Sequence, residues 1–395
     1  MRISRVQTFL CDAGWRPWTF VKVETDDGLV GWGECSDTSN PYGVTGCVRD
    51  FEGLLVGQDP RAVERLYWDV LRTSRQKNLG GVSHKAIAGI ELALWDIKAR
   101  ALGVPVYELF GGPLRDRMQV YWSHCGTTRA TYGQALGLPP LRTYDDIVAL
   151  GREVVERGFR ALKTNIIVPG EPASNYAAGS APGAISTDGV VTDVVLNQIE
   201  QLISALSEGV GAGVQIALDV NYHFRPQSVV KIGRLLERFN MQWIEYDSWD
   251  PRALLQVKQA IPHSLASCEG LNSTRQYRPY LELRAVDTAI IDIPWNGFGQ
   301  AYIIGQMADA YELTVAPHNH YSHLADLQAI NLCAVLPNVR IMEIDIDDVP
   351  WKHDLVTVPP TIQDGCIMLP AGPGWGAEIN EDVLRAHPWP RHGAA

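Results

Sequence analysis

Residues 19–25 alternate apolar and polar side chains, break at Asp26-Asp27-Gly28, and resume strand character over 29–35. Two such runs around Asp-Gly predict a β-hairpin. From residue 83 the period lengthens. Ile87, Ile90, Leu92, Ala93, Trp95, Ile97 and Leu102 fit a long, largely buried helix that stops before Gly103. Gly111-Gly112-Pro113 then interrupts the chain. These features predict a small α+β domain over 1–115.

Beyond it, strand-like and helix-like patterns alternate. Strands are expected over 118–123, 161–166, 215–221, 243–247, 266–269, 289–293, 314–318 and 340–345. Amphipathic helices are expected over 144–157, 193–207, 227–239 and 252–261. Repeated β-α units imply parallel strands, in a doubly wound sheet or a (β/α) barrel. The spacing favours the barrel. Near the ends of six consecutive strands stand Asp219, Glu245, Glu269, Asp292, His318 and Glu343, in steps of 26, 24, 23, 26 and 25 residues. Barrel enzymes draw their active-site side chains from the C-terminal ends of several strands. An acidic residue there also serves to cap the next helix, but capping alone does not explain six in phase. Two segments, 126–143 and 168–191, break the rhythm and are expected as long loops on the active-site face.

Composition narrows the class. The chain has 395 residues, 46% hydrophobic, with 34 basic and 45 acidic residues and a net charge of −11. No basic run suggests a nucleic-acid partner. An anionic substrate would need a local cation. No apolar run reaches the roughly 18 residues of a membrane span, and the first residues do not resemble a secretion signal. The seven cysteines are dispersed and never form C-x-x-C, which suggests reduced thiols in a cytoplasmic protein.

Asp219, Glu245 and Glu269 come from consecutive strands and would repel one another without a cation between them. All-oxygen ligands favour Mg²⁺, Mn²⁺ or Ca²⁺ over zinc. His318, in Ala316-Pro-His-Asn-His320, is a candidate base, and Asp292 on the preceding strand would raise its basicity and fix its tautomer. His320 competes with it, because period two points both the same way. Lys163 and Asn165 share one strand face, as do Asp219 and Asn221. His223, four residues past Asp219, is a second proton-transfer candidate or a loop histidine.

The chain resembles the enolase superfamily, and within it the mandelate racemase-like subgroup, over nearly its whole length. The resemblance rests on Gly31-Trp-Gly-Glu34, on residues 86–100 followed by Gly103-Val-Pro-Val-Tyr-Glu-Leu-Phe-Gly-Gly112, and on Leu218-Asp-Val-Asn221, Trp243-Ile-Glu245 and Ser267-Cys-Glu269. It implies an α+β capping domain (1–115), a modified (β/α)₇β barrel (116–350), and a C-terminal segment (351–395) returning to the cap. It implies Mg²⁺ on Asp219, Glu245 and Glu269, a His318–Asp292 dyad, and Glu343 bonded to the substrate carboxylate or enolate. It also implies proton abstraction next to a carboxylate, and self-association into homo-oligomers.

Two positions depart from the family pattern. Asn165 stands where a second lysine often serves as base, and Tyr246-Asp247 replaces an acidic-proline pair. With one base missing, β-elimination from an acid sugar is expected ahead of a racemase, epimerase or cycloisomerase reaction. A catalytically silent metal-binding barrel is a further alternative. Lys163 would be an electrostatic partner for the substrate. Specificity is expected from cap loops carrying Arg16 and Trp18, with Arg16 suited to a distal carboxylate.

Overall fold

The computed structural model describes residues 1–74, 80–176 and 188–390. The chain opens with an antiparallel sheet of β1 (Ile3–Asp12), β2 (Pro17–Thr25) and β3 (Val30–Glu34), with β2 in the middle. The β2–β3 pair is the hairpin around Asp26-Asp27-Gly28. The residues read only as lacking a secretion signal form β1. Helices α1 (Pro41–Leu55) and α3 (Gly81–Leu102) pack on this sheet, and α2 (Val63–Ser74) packs on them. Every side chain of α3 from 83 to 97 is buried, so its sequence is apolar almost all round.

Glycine explains how α3 lies so close to β3. A Cβ on Gly33 would stand 2.0 Å from the Gly89 carbonyl oxygen, and one on Gly31 would stand 2.2 Å from that of Ala93. Gly31-Trp-Gly-Glu34 is thus a strand whose glycines face the helix backbone.

A barrel follows. Its strands are β4 (Arg117–Ser123), β5 (Ala161–Thr164), then, after a small hairpin of β6 (Ile167–Val168) and β7 (Ser174–Asn175), β8 (Gln215–Asp219), β9 (Met241–Glu245), β10 (Leu265–Ser267), β11 (Thr288–Asp292), β12 (Thr314–His318) and β13 (Met342–Asp345). The parallel order runs β12-β11-β10-β9-β8-β5-β4, and β13 pairs with β4. The last seam closes at Val315 and Val339, with the Arg340 N–H donating to the Val315 carbonyl at 2.9 Å. Each strand from β4 to β12 of the barrel is followed by a helix, the last being His323–Val335, whereas β13 leads only to a 3-10 turn at Lys352–Leu355. The architecture is a (β/α)₇β barrel.

The segment 126–143 is not the long loop expected. It holds a helix, Thr127–Leu136, set between Gly126 and Gly137, both in the left-handed region. Its four threonine and glycine positions blur the apolar period, so the pattern is weak in sequence. Within 168–191, residues 177–187 lie outside the described residues. The chain ends with β14 (Ile362–Gln363) and β15 (Cys366–Met368), the latter antiparallel to β4. The tail then reaches the cap, where the Trp389 N–H donates to Leu10 and the Asp12 N–H to His387. All seven cysteines are free. Among the described residues, no helix is long and apolar enough to cross a membrane.

Two cap carboxylates anchor the cap to barrel helices. Glu34 accepts from the Ser322 hydroxyl at 2.5 Å and the Ala325 N–H at 3.2 Å, at the start of helix His323–Val335. Glu91 accepts from the N–H groups of Phe298 and Gly299, both at 2.8 Å, at the start of helix Phe298–Ala310. Each places negative charge on orphan amides at a positive helix end. These helices follow β11 and β12. Burial, opposed by these hydrogen bonds, pushes the Glu34 and Glu91 carboxyls up to about 7.

Two outcomes follow from these contacts. Gly33→Ala should cost about 1–3 kcal/mol by overpacking, and an unchanged denaturation midpoint would refute the close helix–strand contact. Glu91 has a folded pKa raised from 4.5 to about 7, so the folded state binds its proton more tightly than the unfolded chain. Its contribution is full below the unfolded value and is lost as pH rises through about 7. Glu91→Gln should therefore flatten the decline in denaturation midpoint between about pH 5 and about pH 8; an unaltered slope would contradict this assignment.

Candidate active site

One inward residue from each barrel strand or its first flank forms a separate cluster: Tyr121, Ala161, Ala217, Trp243, Ala266, Ile290, Ala316 and Ile341. Side chains alternate faces along a strand, so the inward position recurs two residues later. Those positions are Ser123, Lys163, Asp219, Glu245, Cys268, Asp292, His318 and Glu343. An apolar plug thus supports a polar layer at the C-terminal ends of the strands.

Cys268 is the exception that brings in Glu269. Its φ is +94°, in the left-handed region, just past the end of β10. The strand alternation breaks there, and Glu269 turns inward to place Oε2 3.4 Å from His318 Nε2.

His318 Nδ1–H donates to Asp292 Oδ2 at 2.6 Å. Asp292 is itself held, accepting from the Tyr321 hydroxyl at 2.5 Å and from the Trp295 N–H at 2.8 Å. Burial works to lower the His318 pKa, but Glu269 and the bond to Asp292 outweigh it and push it up to about 10. His320 has no such carboxylate. Its ring lies 4.2 Å from Tyr321 and 4.8 Å from His318, and its Nδ1 has no hydrogen-bond partner among the described residues. Burial, with His318 and His124 nearby, holds it well below the usual imidazole range. The geometry therefore separates the two histidines that strand parity alone left equivalent.

Lys163 Nζ is surrounded by carboxylates, at 2.9 Å from Glu343, 3.1 Å from Glu245 and 3.8 Å from Asp219. Burial acts to lower its pKa, yet Glu245 and Glu343 hold it well above the usual lysine value. The surrounding carboxylates favour its ammonium form. Glu343 also accepts from the Ser123 hydroxyl at 2.5 Å and from the Asn319 N–H at 2.8 Å. Burial alone would raise it, but Lys163 and His318 hold it well below the usual carboxylate range. Asn165 donates to the Asp219 carbonyl at 3.2 Å and to Asn221 Oδ1 at 3.3 Å. Asn221, at φ +46°, donates its N–H and Nδ2 to the two Asp219 oxygens at 2.8 and 3.1 Å.

Asp219 and Glu245 are buried and Glu269 is half-buried, and the three lie within Coulombic range of one another. Among the described residues, no three His, Cys, Asp or Glu side chains are arranged to hold a metal ion by themselves; Lys163 and His318 are the cations these carboxylates reach. The donor set nevertheless suits a hard divalent cation. Burial, opposed by Lys163 and reinforced by Asp219, pushes Glu245 up to about 7. Burial and its acidic neighbours likewise raise Glu269. Asp247, in the same cluster, keeps a buried Oδ2 with no hydrogen-bond partner among the described residues. Carboxylates in excess of local cations are what a bound cation would relieve.

The cap loop between β1 and β2 covers this layer, though not with the side chains expected. Trp18 is fully buried in the apolar core, edge-on to Trp351 at 5.5 Å. Pro17 starts β2, and the strand turns Trp18 away from the barrel mouth. Trp15 takes that position, stacked on Tyr132 at 4.6 Å and 6.4 Å from His320. Arg16 is fully buried, and its Nη2 pairs with Asp345 at 3.2 Å and Asp348 at 2.9 Å. The acidic partners expected from a substrate come instead from the protein. Asp345 Oδ1 also binds His124 Nδ1 at 2.9 Å. His124 lies just past β4 with φ +47°, at a ring distance of 5.6 Å from His320. His223 lies on the turn after β8, half-buried.

Sequence reasoning missed Ser123, His124 and Tyr321, and within the cap loop over 15–18 it chose Arg16 and Trp18 over Trp15. Ser123 was within reach, two residues past Tyr121 on the first barrel strand. His124, Tyr321 and Trp15 stand on bends and loops, where no period applies.

Residues 6–111 match the family described as mandelate racemase / muconate lactonizing enzyme, N-terminal domain, and residues 146–383 match enolase C-terminal domain-like. D-xylonate dehydratase of Haloferax volcanii is 28% identical over 393 residues, covering 98% of this chain and 88% of that protein. D-gluconate dehydratase of Thermoproteus tenax is 29% identical over 381 residues, covering 95% and 71%. A crystal structure from Burkholderia xenovorans strain LB400, of a protein provisionally named L-alanine-DL-glutamate epimerase and bound to magnesium and fumarate, is 40% identical with a TM-score of 0.94, covering 98% and 96%. With both parts of the chain matched and the barrel layer in place, the chain belongs to the mandelate racemase / muconate lactonizing enzyme family of the enolase superfamily.

Proposed function

We propose that the protein is a Mg²⁺-dependent acid-sugar dehydratase. The observation that carries this reading is the His318–Asp292 pair, 2.6 Å apart, with Nε2 turned toward the carboxylate cluster. The dehydratase names of the Haloferax and Thermoproteus relatives support the substrate class.

The cation would be held by Asp219, Glu245 and Glu269; when bound, it neutralises the charge beside His318 Nε2 and stabilises the enolate formed at the substrate carboxylate. His318 takes the C2 proton through Nε2, while Asp292 holds Nδ1–H and the tautomer. The C3–O bond then breaks. The proton carried by His318 passes to the departing hydroxyl, water leaves, and the enol becomes a 2-keto-3-deoxy acid. No oxidant or reductant is needed. Lys163 and Glu343 fix the charge balance at the carboxylate end. Asn165 holds Asn221 in place, Asn221 Nδ2 offers its second hydrogen to a substrate hydroxyl, and Trp15 excludes water from above.

A second reading is a 1,1-proton shift, as in an epimerase. It is favoured by the name of the Burkholderia protein and by His124, a second imidazole held by a carboxylate. Against it, Lys163 is committed to Glu245 and Glu343, and Asn165 takes no proton at neutral pH.

Proton NMR in D₂O with Mg²⁺, over a panel of mono- and diacid sugars, separates the two. A deoxy methylene beside a new ketone is expected; deuterium uptake at C2 without loss of water would establish the epimerase reading. His318→Asn should lower turnover at least about 10²-fold, the scale of general acid–base catalysis, while leaving Mg²⁺ affinity measurable by calorimetry. Turnover at the wild-type rate would sink the base assignment. Glu245→Gln should weaken Mg²⁺ binding in the same titration, and an unchanged isotherm would remove Glu245 from the ligand set.

A further inference from the structure

The least expected member of the carboxylate cluster is Asp247. It lies two residues beyond Glu245, just past the end of β9. Only 2% of its surface is exposed. Its N–H donates to the Asn221 carbonyl at 3.0 Å, which ties it to the turn that wraps Asp219. One carboxylate oxygen, Oδ1, accepts from the Ser267 hydroxyl at 2.7 Å and the Cys268 N–H at 3.1 Å. These are the two residues before Glu269, and Cys268 is the left-handed bend that turns Glu269 inward. The other oxygen, Oδ2, is buried and accepts no hydrogen bond among the described residues.

The charges around Asp247 are mostly of its own sign. Glu245 is its nearest acidic neighbour in effect, and Asp247 is the strongest acidic neighbour of both Asp219 and Glu269. Among the described residues it makes no ion pair, and Lys163 acts on it only from a distance. Holding the Cys268 bend requires one acceptor oxygen, which a neutral asparagine supplies equally well. A carboxylate adds a buried charge beside three others, and such a charge works against the fold unless a cation compensates it.

We propose that Asp247 is a fourth carboxylate of the cation site: Oδ1 positions Glu269 through the Cys268 bend, and Oδ2 supplies charge and an acceptor to the bound divalent cation or its water. This rests on the reading of Asp219, Glu245 and Glu269 as cation ligands. Residues that orient or support metal ligands typically change affinity by about 10–100-fold when replaced.

The test uses the full chain and a divalent metal alone. Mn²⁺ binding is followed by electron paramagnetic resonance, Mg²⁺ binding by calorimetry, and melting temperature is recorded with and without metal. Asp247→Asn keeps an oxygen for Ser267 and Cys268 and removes the charge. It should bind Mn²⁺ about 10-fold more weakly or worse. Its metal-free melting temperature should be unchanged or higher, because repulsion is relieved, and its gain on adding metal should be smaller. Asp247→Ser, uncharged and smaller, should show the same loss of affinity. Wild-type affinity in both variants overturns the proposal. So does a metal-free melting temperature that falls together with affinity in both, since Asp247 would then be a purely structural acceptor. If wild-type protein binds neither metal, the three-carboxylate reading fails with it; if wild-type binds and Glu245→Gln does not, while Asp247→Asn binds normally, only the role of Asp247 is lost.

Discussion

Eight parallel strands closed around one axis leave a single narrow space for each layer of inward side chains. Here the lower layer is filled by Tyr121, Trp243, two isoleucines and four alanines. Because strands alternate with period two, the layer above is built from the residues two positions on, and most of those are ionisable. The polar layer cannot spread, because the apolar plug below and the β-ladders around it hold each strand end in place. It must balance its charges locally. Lys163 sits among Glu343, Glu245 and Asp219, and His318 between Asp292 and Glu269. The site's chemistry follows from that enforced proximity.

The same constraint explains the dependence on the cap. Asp292 and His318 end strands whose following helices begin under cap carboxylates, Glu91 and Glu34 respectively. The cap also inserts Arg16 against Asp345 and Asp348, so that Asp345 can hold His124 from the other side. Cap and barrel are therefore joined by buried polar contacts that bear on the positions of catalytic candidates, not only by apolar packing. Such contacts are costly to leave half-made, which makes the cap's placement specific.

Most of the fold was legible along the chain, for physical reasons. The hairpin around Asp26-Asp27-Gly28, the apolar run of α3 and the phased acidic and imidazole residues at strand ends reflect periods of 2 and 3.6, and periods survive in one dimension. Helix Thr127–Leu136 was not legible, because threonine and glycine dilute its apolar face. β1 was not, because half its positions are only partly buried and its alternation is weak. In the polar layer, Lys163, Asp219, Glu245, Asp292, His318 and Glu343 could be placed by parity alone. Glu269 falls out of that parity, and only the left-handed bend at Cys268 explains why it joins them.

What the sequence alone determined is the alternation: which residues share a strand face, that β and α units repeat, and that acidic and imidazole side chains recur in phase at strand ends. These follow from local backbone geometry and need no distant contact. What the tertiary structure decided is partnership. His318 and His320 have the same parity, but only His318 meets Asp292. Trp15 and Trp18 flank one loop, but the start of β2 sends Trp18 to the core and leaves Trp15 at the mouth. Arg16 was free in sequence to meet a substrate, and the fold gives it Asp345 and Asp348. A side chain's face is set by its neighbours along the strand; its partner is set by chain folded back from far away, as Asp348 reaches Arg16 across 332 residues.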